Sequence, residues 1–395
     1  MQKLTYCLLS LLLFIGCTSD KESRLSSFNV FCEMVAGEAK PLALSEPMTS
    51  RELDKYWQDF EKIAAKFQVR IYREKDFPVT PLFPPDVTQG KEVVIIYRAN
   101  RLVQYDQLKA DLNKTVPLMA ARRLGRLLGY SPQGINGLLM KNSEYRTFNS
   151  YGVTDQVTHV YYENIAGANT FYSDIIGLKE LDTDLYKISD GAFLKLHSFD
   201  DKHPKNQPKS TAIAFLTDQL PEWYTYIKQS GAPIKYTYKP KEDGPHDGFV
   251  AIDPGGYLLE FEEFKQHPEN ELFMAILENT PRVETRVESL NFHGSITWTY
   301  HNDLLKMQKF YEEDLGFTMV ADQGWTKIYQ TTSSAFIGLV DERRGMMDYA
   351  DNKAVEIEWK LDNRTGAITY FSGQESWQSE EDMMMGPENY RYLIR

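Results

Sequence analysis

The spacing of apolar and polar positions changes period several times along the chain. Between residues 49 and 67, Leu53, Trp57, Phe60, Ile63, Ala64 and Phe67 recur at steps of three and four, which predicts one apolar helix face. Thr49 and Glu52 stand ahead of that run as a capping box, each side chain able to satisfy an amide of the other residue. Residues 69–72 and 93–97 read as buried strands. Pro78, Pro81, Pro84 and Pro85 between them exclude regular structure and predict a long loop. A second helix is predicted from Pro117 to about Leu128, closed by Gly129. It carries Arg122, Arg123 and Arg126, which form either an anion-binding face or a solvated helix surface.

From residue 153 the pattern becomes rhythmic. A strand at 159–163 leads to a helix with Ala166, Ala168, Phe171, Tyr172 and Ile175, closing at Gly177, and then to strands at 179–182, 185–188 and 192–197. The order recurs as a strand at 211–217, a helix at 221–229 ending near Gly231, and three strands up to Phe264. It returns as a strand at 296–300, a helix at 304–315 closed by Gly316, and strands near 317–320, 326–329 and 335–340. Strands at 354–361 and 390–394 end the chain, and the stretch between them reads as too short for a full unit. Strand, helix and three strands therefore form an internal repeat of about 50 to 60 residues. The connector at 266–288 holds one short helix, at 269–277.

The N-terminus has a different character. Lys3 precedes an apolar run at 8–15, followed by Gly16-Cys17 and a polar stretch. The run falls short of the ~20 residues that span a bilayer, so residues 1–17 read as an export signal peptide. Phe14-Ile15-Gly16-Cys17 resembles a bacterial lipobox, which implies a lipoprotein acylated (palmitate among its chains) and membrane-anchored at Cys17, with residues 18–48 as tether and linker. The implied location is the bacterial cell envelope, at the outer membrane or cell surface. Of three cysteines, Cys7 leaves with the signal and Cys17 takes lipid, so Cys32 is a lone thiol and no internal disulfide or cysteine zinc site is possible. Its apolar surroundings suit a buried inert thiol better than a nucleophile. A net charge of −12 argues against a nucleic-acid partner. At 395 residues the chain should hold two to three domains.

The rhythm carries recognisable motifs. Thr158-His159-Val160-Tyr161-Tyr162, the segment Phe171-Tyr172-Ser173-Asp174-Ile175-Ile176-Gly177-Leu178, and Asp253-Pro254-Gly255-Gly256-Tyr257-Leu258-Leu259-Glu260-Phe261 are similar to the opening and closing motifs of the vicinal oxygen chelate superfamily of glyoxalases, bleomycin-resistance proteins and extradiol dioxygenases. Phe310-Tyr311-Glu312-Glu313-Asp314-Leu315-Gly316-Phe317 repeats the helix motif, and Gly386-Pro387-Glu388-Asn389-Tyr390 resembles a degraded closing motif. The resemblance implies an α+β fold of paired βαβββ modules: a first such domain at 153–265, a connector at 266–288 and a second, abbreviated one at 289–395. A mixed α/β domain of unreadable role at 49–150 precedes them.

In that family the paired sheets curl into a cup, where a divalent metal held by His and carboxylate ligands meets two vicinal substrate oxygens. Carried over by position, the resemblance gives His159 and Glu260 as metal ligands, while Ala212 and Lys195 occupy two other ligand positions. His197 shares the face of Lys195 and completes the expected metal set. In the last region the positions fall at Ser295, Gly338, Glu356 and Leu393, with His293 on the face of Ser295. Glu260 and Glu356 are the catalytic candidates, and His246 is a candidate substrate contact at the cup mouth. Tyr161, Tyr162, Tyr224, Tyr226, Tyr236 and Tyr238 either stack on a ligand or pack the sheets. The implied cofactor is iron, manganese, nickel or zinc, the implied partner a small molecule, and a homodimer is open. Two functions compete: a metal-dependent lyase, isomerase or dioxygenase, and a cup that binds a small molecule without catalysis. A scaffold role in an envelope complex is a third.

Overall fold

A computed structural model describes residues 20–83, 87, 89–112, 117–141, 146–372, 377–378 and 382–395. Cys17 and the predicted signal lie outside them. The chain divides into two compact units, residues 1–145 and 146–395. Among the described residues no helix is long and apolar enough to cross a membrane.

In the first unit, residues expected to be a tether fold instead. Helix α1 (Asp20–Ala36) buries Phe28, Cys32 and Val35, spaced four and three apart on one face. Phe28 stacks on Phe60 of α2 (Ser50–Lys66), with ring centroids 4.0 Å apart. The capping box forms as predicted: Thr49 N donates to Glu52 Oε2 at 2.9 Å and Glu52 N to Thr49 Oγ1 at 3.3 Å. Burial pushes the Cys32 thiol up to about 12, as an inert core cysteine requires. Strands β1 (Leu42–Leu44), β2 (Arg70–Glu74) and β3 (Val93–Tyr97) make one antiparallel sheet with β3 central. Helices α3 (Arg101–Asp111), α4 (Pro117–Leu127) and α5 (Pro132–Leu139) complete the unit. The three arginines of α4 do not share one fate. Arg122 is buried and donates to Asn136 Oδ1 at 2.8 Å, Arg123 reaches Asp111 at 3.4 Å, and Arg126 is exposed.

The second unit is four βαβββ modules. Module A holds β4 (Val153–Tyr162), α6 (Ile165–Thr170), β5 (Lys179–Asp182), β6 (Leu185–Ser189) and β7 (Ala192–Ser198). Module B holds β8 (Thr211–Leu216), α7 (Leu220–Ser230), β9 (Ile234–Tyr236), β10 (His246–Ile252) and β11 (Leu258–Phe264). A connector with α8 (Glu271–Leu277), β12 (Val283–Glu284) and β13 (Asn291–Phe292) follows. Module C holds β14 (Gly294–His301), α9 (Leu304–Lys309), β15 (Thr318–Asp322), β16 (Thr326–Gln330) and β17 (Ala335–Asp341). Module D holds β18 (Val355–Leu361), α10 (Arg364–Phe371), β19 (Trp377–Gln378), β20 (Met383–Met385) and β21 (Arg391–Ile394). The glycines predicted to end helices, Gly177, Gly231 and Gly316, have φ of 75°, 79° and 73°, a conformation that a Cβ would strain. Module D is complete in its elements; it is compact because β19 and β20 span only two and three residues.

Pairing between modules is nested. Opening strands β8 and β14 pair antiparallel and join modules B and C into one eight-stranded sheet, the inner cup. Strands β4 and β18 do the same for modules A and D, the outer cup. The sheets thus join the second module to the third and the first to the fourth, whereas the sequence boundaries had grouped A with B and C with D. A buried polar seam crosses between the sheets. Thr158 and Thr297 hydroxyls lie 2.6 Å apart, and the Gln156 amide makes all four of its hydrogen bonds, to Thr297, Phe336 O, Thr331 and Trp359.

The closing-motif tyrosines lock the two cups together reciprocally. Tyr257 of module B accepts from Tyr161 N at 2.9 Å and donates to Ala354 O at 2.6 Å, tying β4 to the start of module D. Tyr390 of module D accepts from Tyr300 N at 2.7 Å and donates to Ser210 O at 2.6 Å, tying β14 to the start of module B.

Candidate functional site

Alternation along β4, β7 and β18 places His159, Tyr161, Lys195, His197, Glu356 and Glu358 on one face of the outer cup, where His159 lies between Lys195 and Glu356 in register. Apart from Lys195, which donates to Thr183 O, these side chains pair with one another or with residues beside them. His159 Nδ1 and His197 Nε2 are 2.8 Å apart and share a proton, and His159 Nε2 faces Glu358 Oε2 at 3.5 Å. Tyr161 donates to Glu356 Oε2 at 3.0 Å, and Arg391 reaches Glu356 Oε1 at 2.8 Å. The loop joining modules A and B adds His203, stacked on Tyr161 at 3.7 Å and 3.6 Å from Glu356. Burial, and next the neighbouring His159, lower the His197 imidazole to about 4, so it is neutral at physiological pH.

The inner cup is open. Its floor is set by β11, where Leu258, Glu260, Glu262 and Phe264 alternate onto one face, and by β14, where Trp298 and Tyr300 do so. Gly338 on β17 makes room for the Trp298 ring: a Cβ there would stand 1.9 Å from Trp298 Cε3. A cavity of about 210 Å³ remains, lined by Glu260, Glu262, Phe264, Trp298, Tyr300, Trp325, His246 and Met346 among others. It shares His246, Glu260, Glu262 and Met346 with a wider mouth edged by Lys235, Lys239 and Lys241. Glu262 is 4% exposed and its Oε2 has no hydrogen-bond partner. The Trp298 Nε1 faces that carboxyl without reaching hydrogen-bond geometry. Burial pushes the Glu260 carboxyl up to about 8; burial, and next the charge of Glu260, push Glu262 well up. Two carboxyls so placed hold at least one proton near neutrality and can donate or accept it.

The predicted site residues are therefore divided. His159, His197 and Glu356 meet in the outer cup, whereas Glu260 and His246 lie in the inner one, so the expected metal set of His159, His197 and Glu260 is not assembled. Cup-facing positions on β14 are Ile296, Trp298 and Tyr300, one residue out of step with Ser295, whose hydroxyl donates to Ala214 O at 2.8 Å. His293 is buried and lowered to about 4, first by desolvation and then by Arg282. Of the tyrosines read as either stacking on a ligand or packing the sheets, Tyr161 and Tyr162 are buried within the sheets. Glu262, Trp298 and Trp325 were not singled out by the sequence; the signal was there in the alternation of Glu260 with Glu262 and Trp298 with Tyr300.

The donors present do not fit the divalent metal that the resemblance implies. In the outer cup Glu356 is taken by Tyr161 and Arg391, and Arg395 lies 3.9 Å from Glu358, so an added cation would meet two guanidiniums. In the inner cup the other ligand positions given by the resemblance include Ala212 and Gly338, and the residue in register with Glu260 on β8 is Ala214. Among the described residues no group of three His, Cys, Asp or Glu side chains is arranged to hold a metal ion.

No family model and no curated protein matches the sequence. Solved structures with similar folds include glyoxalase I from Zea mays, 12% identical over 61% of this chain and 91% of that one, TM-score 0.39. An integron cassette protein of V. cholerae is 20% identical over 28% of this chain and 94% of that one, TM-score 0.24. A virulence protein of Salmonella typhimurium is 19% identical over 28% and 94%, TM-score 0.23. The paired βαβββ architecture implied by the motifs is present in the second unit.

Proposed function

We propose that this is a lipid-anchored envelope protein whose inner cup binds a small molecule without a divalent metal. The observation that carries the reading is the inner cavity itself, about 210 Å³ of aromatic-walled space over two carboxyls that have no cationic partner among the described residues. Buried polar groups are nearly always satisfied, by protein or by water, and an aromatic-walled cavity with converging polar groups is the kind of space in which small molecules bind. The anchor rests on Cys17 and the apolar run before it.

Two measurements test the proposal. After incubation with iron, manganese, nickel and zinc and then desalting, mass spectrometry should find far less than one equivalent of metal. Near-stoichiometric metal that both His159→Ala and Glu260→Ala abolish would instead support the metal-dependent lyase, isomerase or dioxygenase. A thermal-shift screen of small metabolites should yield hits that Trp298→Ala loses; a screen without such hits removes the inner cup as the site.

A further inference from the structure

The geometry points to an ammonium group as what the inner floor receives: we propose that the ligand is a small amphipathic amine, an inference that rests on the inner cup being a ligand site. Three features of the cavity converge on this chemistry.

Glu260 and Glu262 are two residues apart on one strand, so both carboxyls face the same space, and among the described residues neither has a hydrogen-bonded or ion-paired basic partner. Glu262 Oε2 is a buried acceptor without a hydrogen-bond partner, and a group carrying several N–H donors and a positive charge is its natural complement. The walls are Trp298, Tyr300, Trp325 and Phe264, whose ring faces attract a cation and bury an apolar body. Trp325 already does this at the rim, where the Arg344 guanidinium sits 4.9 Å from its ring centroid. Tyr300 feels the same floor: burial first and Glu260 next hold its hydroxyl well above the ordinary range.

Size limits the body. A cavity of about 150 Å³ holds benzene, so about 210 Å³ leaves space for a phenyl ring and a short ammonium arm. The exposed lysines at the wider mouth, Lys235, Lys239 and Lys241, oppose the entry of a cation, so the preference for an ammonium rests on the carboxyls and rings of the floor.

The test compares 2-phenylethylamine with its uncharged analogue 2-phenylethanol by calorimetry on the purified protein. The amine should bind at least about tenfold more tightly than the alcohol. Glu262→Gln and Glu260→Gln should each bring the affinity for the amine to within about twofold of that for the alcohol. Both substitutions are isosteric and remove a charge that burial disfavours, and circular dichroism will report their folding. Equal binding of amine and alcohol, both lost in Trp298→Ala, would overturn the amine while keeping the cup. Binding of neither probe at high concentration would overturn both.

Discussion

Replacing Glu260 by glutamine should flatten the pH dependence of stability of the second unit. Burial moves the folded-state carboxyl from its ordinary 4.5 up to about 8. The folded chain then holds this proton more tightly than the unfolded chain does. Its contribution to stability is fully present below about pH 4.5 and is lost as pH rises through about 8. At about 1.4 kcal/mol per pH unit, that interval is worth up to about 5 kcal/mol. Glu262 is pushed in the same direction and steepens the slope. The assay is guanidinium denaturation at about pH 5 and about pH 8.5 followed by tryptophan emission. Trp223, Trp298, Trp325, Trp359 and Trp377 all lie in this unit, so the signal reports it. Subtracting the Glu260→Gln curve removes the contribution of the groups that do not interact with Glu260, leaving its own and its effect on Glu262. Wild type should lose several kcal/mol more than the variant between the two conditions. Parallel loss in both proteins would mean that Glu260 is already ionised in the folded chain, and the reasoning about the inner floor would fall with it.

Two further outcomes test the architecture. Tyr257→Phe strands the Tyr161 amide and the Ala354 carbonyl, and Tyr390→Phe strands those of Tyr300 and Ser210. Each should cost about 1–3 kcal/mol in chemical denaturation, and a loss under about 0.5 kcal/mol would show that the tyrosines do not join the cups. Gly338→Ala drives a methyl into the Trp298 ring, so it should destabilise by about 1–3 kcal/mol and shift tryptophan emission. Unchanged emission would place that ring elsewhere.

Features written locally in the chain were legible in it. The capping box at Thr49, the helix-ending glycines and the order of strand, helix and three strands each depend on neighbours a few residues away. The repeat therefore emerged from spacing, and the family resemblance from the residue motifs that the repeat carries. Module pairing is a different kind of information. Whether β4 lies beside β8 or β18 is decided by the packing of whole sheets, and every opening strand is apolar enough for either partner. Grouping modules by proximity in sequence put His159 and Glu260 in one cup, and the nested pairing separates them. Helix α1 was missed because its apolar face is narrow and polar residues surround it. Module D looked truncated because two of its strands are barely longer than turns.

Nesting also sets a timetable. The inner cup is closed by contacts such as Thr211 to Trp298, 87 residues apart. The outer cup depends on contacts such as Tyr161 to Glu356, 195 residues apart. During synthesis or passage across a membrane, modules B and C can meet before the last strand has emerged, whereas module A must wait with its partner edge uncovered. The first module made is thus the last to be matched, and the final residues of the polypeptide, β21 among them, finish a sheet that began some two hundred residues earlier. A nick or stop close to the C-terminus would therefore strand the oldest part of this unit while sparing the cavity at its centre.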